Sequence, residues 1–216
     1  MTIAVVDYGM GNLRSVAKAL EHVAINQRVL ITSDPDEIHQ AERVVFPGQG
    51  AARDCMRELD ERNLREVVMQ AAHEKPFLGI CMGMQVLVDH SEENDGVACL
   101  SLYAGNVRFF GHQLRNAHGE KLKIPHMGWN QVQHTIDHPM WHGISNNSRF
   151  YFVHSYYMDP KDHSLITGTT THGIEFVSAM GRDNVFAVQF HPEKSASDGL
   201  QLLKNFSLWK GKDKVR

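Results

Sequence analysis

Cysteine is scarce in this chain, with three residues in 216, at positions 55, 81 and 99. No two of them stand in a C-x-x-C spacing, and three cannot all pair, so a disulfide framework is excluded as the source of stability and a reducing, cytoplasmic setting is expected. Long hydrophobic runs are also missing. Nothing approaches the ~18 apolar residues of a membrane span, and residues 1–7 carry neither the basic flank nor the cleavage site of a signal peptide, so they read as a first strand. An excess of charge is lacking too. A formal net charge of −3 without a long basic block argues against nucleic acid as the principal partner. The basic residues Lys210, Lys212, Lys214 and Arg216 read as a solvated, fraying tail. No linker, repeat or low-complexity segment divides the sequence, so residues 1–216 are expected to form one domain burying about 70% of the unfolded chain's surface.

What is present changes texture along the chain. Residues 3–7, 28–32, 43–46 and 77–80 read as strands and alternate with helical patterns at 13–22, 51–73 and 84–90. Ser33-Asp34-Pro35-Asp36-Glu37 carries the signals of a further helix start, with proline in the first turn and acids complementing the dipole. Such alternation predicts an α/β protein with a mostly parallel central sheet flanked by helices. Beyond about residue 100 the pattern becomes β-rich, with strands expected at 107–110, 129–134, 150–156, 164–170, 175–180 and 185–190, which predicts antiparallel additions in the second half. A last helix over 197–209 presents Leu200, Leu203, Phe206 and Trp209 at near-helical spacing and should close the core.

The chemistry starts at Gly79-Ile80-Cys81-Met82-Gly83-Met84-Gln85, between the apolar runs 76–78 and 86–88. A short strand, a small-x-nucleophile-x-small turn and a helix form the layout of a nucleophile elbow, which makes Cys81 the candidate nucleophile. Glycines at 79 and 83 let the turn tighten without side-chain collisions. A helix starting at the thiol would favour the thiolate through its amide dipoles. The alternative is a buried structural cysteine, common for a free thiol.

A thiol nucleophile needs a base, and the base an orienting group. Among 14 histidines, His191 stands apart because it opens His191-Pro192-Glu193 directly after a strand-like run. Pro192 biases His191 towards extended backbone, in which residues i and i+2 project to one side, so imidazole and carboxylate can meet. Glu193 would hold one ring nitrogen protonated and leave the other for the thiol. Other motifs carry less. Gly9-Met10-Gly11 lacks the third glycine of a dinucleotide loop, where Arg14 stands. His134, His138 and His142 share a helical period that Pro139 and Gly143 interrupt, so no metal is expected. Ser155 sits outside any elbow and suits a structural or substrate-contacting role.

The elbow and the late His-Pro-Glu together resemble the class I glutamine amidotransferases. The stretches Asp7 to Asn12, Phe46 to Gly50, Pro125 to Asn130, Tyr151 to Tyr157 and Gln189 to Ser195 narrow the likeness to the glutaminase subunits of imidazole glycerol phosphate synthases, spread over nearly the whole chain. The resemblance implies a flavodoxin-like core and a Cys81-His191-Glu193 triad that hydrolyses glutamine without a cofactor. It implies oxyanion donors from the backbone of Met82 and of the Gln49-Gly50 loop, and glutamine contacts from Gln85, Ser155 and Tyr156. It implies a cyclase chain as heterodimer partner, facing Tyr8, Gly9, Met10, Gly11 and Asn12 and also His126, Met127, Gly128, Trp129 and Asn130. Other outcomes are the glutaminase of another class I synthase and an inactive interaction module of the same fold.

Overall fold

The computed structural model describes residues 1–212. Its first half lays down β1 (Thr2–Val6), α1 (Leu13–Val23), β2 (Arg28–Thr32), α2 (Pro35–Gln40), β3 (Arg43–Gly48), α3 (Ala52–Glu61), α4 (Arg65–Glu74), β4 (Phe77–Cys81) and the single turn α5 (Met82–Gln85). The second half adds β5 (His90–Ser91), β6 (Val97–Ala98), β7 (Gly105–Phe109), β8 (His126–Gln131), β9 (Gln133–His134), β10 (Arg149–His154), β11 (Tyr156–Pro160), β12 (Ile166–His172), β13 (Ile174–Arg182), β14 (Val185–Val188) and α6 (Ala196–Leu208).

The strands β2-β1-β3-β4-β14 run in parallel in that order, and β13, β11 and β7 extend the sheet from β14 with antiparallel pairings. This is the α/β architecture expected, with a doubly wound core whose order reverses at β1 and β3. Period-two alternation sorts the central strands between two packed layers. Ala4, Val6, Val44 and Phe46 join α3 and α4 residues such as Leu59 and Val68 on one face. Ile3, Val5, Val45 and Leu78 join Leu20 of α1 and Phe206 of α6 on the other. Arg43, which is buried, donates to the Phe206 and Trp209 carbonyls and ties the end of α6 to β3. That arrangement satisfies backbone acceptors that a helix C-terminus leaves open.

Several local expectations change. The helix read over 51–73 is two helices. Its apolar stripe of Ala52, Cys55, Met56 and Leu59 would continue at Asn63, which instead turns left-handed at φ 57, and the stripe resumes out of phase at Leu64, Val67, Val68 and Ala71. The helix read over 84–90 is one turn, because Met84, Val86, Leu87 and Val88 are all fully buried and no polar face exists to solvate a longer one. The strand read over 150–156 breaks at Ser155: β10 pairs with β8 in a separate two-stranded ribbon, while β11 returns to the main sheet. The tail is tied as far as Lys212, which bonds Asn184 through its amide and Asp183 through its ammonium at 3.3 Å; Lys214 and Arg216 lie outside the described residues.

Candidate active site

β4 ends at Cys81 inside the parallel sheet, between β3 and β14 and beside Gly48 of β3. Its backbone sits at φ 55 and ψ −110, a conformation costly for a residue with a side chain. The surroundings enforce it. A Cβ on Gly83 would overlap the Phe46 carbonyl oxygen, and one on Gly79 would lie 2.7 Å from the Gly83 carbonyl oxygen. Both glycines are therefore steric requirements of the elbow. Because α5 is a single turn, the dipole argument for the thiolate weakens, and the neighbouring base matters more.

The candidate base is brought by β14. The chain leaves the strand beside β4, and His191 follows in extended geometry at φ −102 and ψ 96. Its Nδ1 meets Glu193 Oε1 at 2.9 Å, with both side chains almost fully buried at 2% and 1% exposure. A Cβ on Gly199 would overlap the Pro192 carbonyl, so α6 presses against the His-Pro-Glu turn only because that position is glycine. Ser195 Oγ donates to the His191 carbonyl at 2.6 Å and accepts from the Tyr151 amide at 2.9 Å, fixing the turn against β10.

Burial alone would push His191 towards its neutral form, but the Cys81 sulfur and the Glu193 carboxylate outweigh it and raise the imidazole to about 10. Among the described residues, the ring's Nε2 has no hydrogen-bond partner of normal geometry. By contrast, burial pushes the Cys55 thiol up to about 12 and that of Cys99 to about 11.

A cavity of about 430 Å³ opens at the elbow. Cys81 and His191 line it, as do Gln49, Gly50 and Met82, the backbone expected to bind an oxyanion. Gln85, Ser155 and Tyr156 line it as well. Ser155 reaches the cavity because the chain crosses there between the ribbon and the main sheet. Gln85 spends both N–H groups, on the Tyr156 carbonyl and on Gln189 Oε1, each at 2.9 Å, so Oε1 is the atom it can offer a ligand. Gln189 in turn points Nε2 at Cys81 Sγ, 3.6 Å away.

Sequence reasoning missed Glu93. It is the acidic residue of the cavity wall, carried on a short 3-10 turn and held by the Ala52 amide at 2.6 Å. No pattern marks it, since its place depends on how residues 92–96 fold against α3. Lys194, also on the wall, lies 5.9 Å from the Tyr151 ring centroid.

The ten residues expected to face a partner divide. Tyr8 is fully buried, with burial raising its hydroxyl pKa, and its oxygen lies against Gly48, where no Cβ could fit. His126 is buried as well. Neither side chain is available to a partner. Gly9, Gly11 and Asn12 are exposed, Met10 is half-buried and touches the Gly50 position, and Met127 and Trp129 are exposed at 63% and 45%. Gly128 and Asn130 are half-buried. His134 and His138 serve packing, stacked on Trp141 and set against Phe186.

The sequence profile described as "Glutamine amidotransferase class-I" matches residues 4–209. The chain is 61% identical over 209 residues to the "Imidazole glycerol phosphate synthase subunit HisH" of Dechloromonas aromatica (strain RCB), covering 96% of each chain. It is 57% identical over 210 residues to the protein of the same name from Hydrogenovibrio crunogenus (strain DSM 25203 / XCL-2), covering 97% of each. In fold it is similar to the structure of PurLQS from Thermotoga maritima, with TM-score 0.68, 18% identity, and coverage of 95% of this chain and 96% of that one.

Proposed function

The chain belongs to the class I glutamine amidotransferases, and we propose that it is the glutaminase of an imidazole glycerol phosphate synthase, acting through Cys81, His191 and Glu193. It hydrolyses glutamine to glutamate and passes ammonia to a cyclase partner. The cyclase makes imidazole glycerol phosphate and an aminoimidazole carboxamide ribotide in histidine biosynthesis. The observation that carries the residue assignment is the pairing of a strained Cys81 with a buried His191-Glu193 couple at one cavity.

The chemistry follows from the geometry. Cys81 attacks the side-chain amide carbon of glutamine, His191 gives its proton to the departing ammonia, and water activated by His191 then hydrolyses the thioester. Glu193 keeps Nδ1 protonated and steadies the imidazolium. Each step passes through a tetrahedral oxyanion, for which the Met82 amide and an amide of the Gln49-Gly50 loop are the donors. One such donor is worth ~10² to 10³ in rate. The Glu93 carboxylate and Gln85 Oε1 suit the α-ammonium of glutamine, and the Ser155-Tyr156 backbone its carboxylate.

Ammonia in neutral water is mostly protonated and no longer nucleophilic, so its release only makes sense next to the acceptor. The exposed Met127 and Trp129 and the loop Gly9 to Asn12 are the surface offered to the cyclase. No helix among the described residues is long and apolar enough to cross a membrane, and the enzyme's place is the cytoplasm. The test is glutamine hydrolysis by the chain alone, with the cyclase, and with the cyclase plus its nucleotide ligand. A rate that rises across the series supports the reading; no hydrolysis in any of the three would reject it.

A further inference from the structure

A run of hydrogen bonds leads from the ribbon to the nucleophile, and its direction is fixed by the chemistry at its ends. The Tyr156 carbonyl can only accept, so His154 Nδ1, 2.8 Å away, carries a hydrogen. His154 is held neutral by burial, which lowers its pKa to about 4, and its Nε2 is therefore an acceptor. The atom facing Nε2 is His126 Nδ1 at 2.9 Å, which must then be the donor. His126 is likewise neutral, lowered to about 3 by burial and by the neighbouring histidines. That leaves its Nε2 to accept from Asn130 Nδ2 at 3.1 Å. Asn130 is oriented independently, because Nδ2 also donates to the Thr171 carbonyl at 2.9 Å while its oxygen accepts from the Gln131 amide at 2.8 Å.

Two carbonyls, Thr171 at one end and Tyr156 at the other, thus set both tautomers. Both rings carry their hydrogen on Nδ1, the form a free histidine disfavours. The pairing is built into the ribbon, since His126 and His154 stand directly opposite on β8 and β10. The His126 ring is stacked on His172 and Phe152, with centroids 4.2 and 4.9 Å apart, so it has little freedom to turn. Beyond Tyr156 the run continues through Gln85 and Gln189 to within 3.6 Å of the Cys81 sulfur.

Resting on the glutaminase reading above, we propose that His126 and Asn130 are positioning residues for the glutamine pocket, acting through His154 on the Tyr156 carbonyl and so on the Gln85 side chain. Neither touches the substrate. Their task is to hold the wall formed by Ser155, Tyr156 and Gln85 in a ligand-ready arrangement, which lowers the ordering cost of binding.

The experiment uses the complex with the cyclase at saturation. His126→Phe keeps the stacking and removes both ring nitrogens; it should raise KM for glutamine about tenfold while changing kcat less than about threefold. His126→Asn retains a donor near the Nδ1 position and should recover a KM closer to that of the unsubstituted chain. Asn130→Leu, at a half-buried site, should raise KM in the same direction. Nitrogen NMR of the unsubstituted chain, which needs no variant, should find His126 and His154 both neutral with hydrogen on Nδ1 at neutral pH. Hydrogen on Nε2 of either ring, or an unchanged KM in both His126→Phe and Asn130→Leu, would overturn the proposal and leave the glutaminase reading intact. Absence of glutamine hydrolysis by the unsubstituted complex would instead remove that reading.

Discussion

Two histidine environments in this molecule are equally buried and electrically opposite. His191, at 2% exposure, is raised to about 10, whereas His126 at 4% and His154 at 6% are lowered to about 3 and about 4. Burial disfavours the charged ring in all three. What differs is the neighbour: His191 faces a carboxylate and a thiol, while the ribbon pair face each other, a backbone carbonyl and an asparagine amide. Burial alone therefore does not set the charge state of a histidine; the presence of an anion does.

The cysteines also differ in their surroundings, and they yield the largest expected effect. Cys81→Ala should abolish glutamine-dependent synthesis, by at least about 10³-fold, while free ammonia at high pH still supports the cyclase. A glutamine-mimicking electrophile should label one site per chain. Label found by mass spectrometry on Cys55 or Cys99, whose thiols burial holds well above the ordinary range, would break the distinction between the two environments.

Removing the anion from the triad comes next. Glu193→Gln should lower kcat by roughly 10² to 10⁴, and His191→Asn by at least as much. Because the two act as a unit, the double substitution should cost little more than the worse single one. A loss equal to the product of the two would mean that Glu193 does not act through His191.

A structural prediction follows from the elbow. Gly83→Ala would push a methyl group into the β3 backbone at Phe46 and should cost about 3 kcal/mol, read as a lowered Tm. An unchanged Tm would show that the turn is looser than the contacts imply.

The smallest effect is the acid limb of stability. His126 and His154 have folded pKa values below the unfolded ~6.5, so their contribution is present above pH 6.5 and is lost as pH falls towards 4. Between pH 6.5 and 5.5 the two together should cost roughly 2 kcal/mol, measured by urea unfolding. His126→Phe should flatten that slope. His191 has the opposite sign: its raised value gives a contribution present below ~6.5 and lost as pH rises through about 10.

Most of the candidate site's local geometry was readable because its determinants are local. Gly79, Cys81 and Gly83 mark the elbow within five residues, His191 and Glu193 meet across one proline, and α2 begins at Pro35 within the stretch read as a helix start. What was not readable depends on partners far along the chain. The brevity of α5 follows from burial on all sides, and the break at Ser155 from competition between two sheets. Glu93 enters the cavity through an irregular turn that leaves no periodic trace. Tyr8 sits in a motif shared with exposed residues, yet it packs on Phe46 with ring centroids 5.1 Å apart. The hydrogen-bonded pair His126 and His154 is 28 residues apart in sequence and appears only once β8 and β10 are in register.

Whether Cys81 feeds ammonia to the cyclase is decided most directly by following the nitrogen. The complex is supplied with glutamine labelled with ¹⁵N in its side-chain amide, together with unlabelled ammonium, and the ¹⁵N content of the imidazole product is measured. Product should be labelled from glutamine with little dilution, and, with Cys81→Ala, should be drawn only from the ammonium pool. Product from the unsubstituted complex carrying the isotopic composition of the solution ammonium, or labelled product formed by the Cys81→Ala complex, would contradict the transfer.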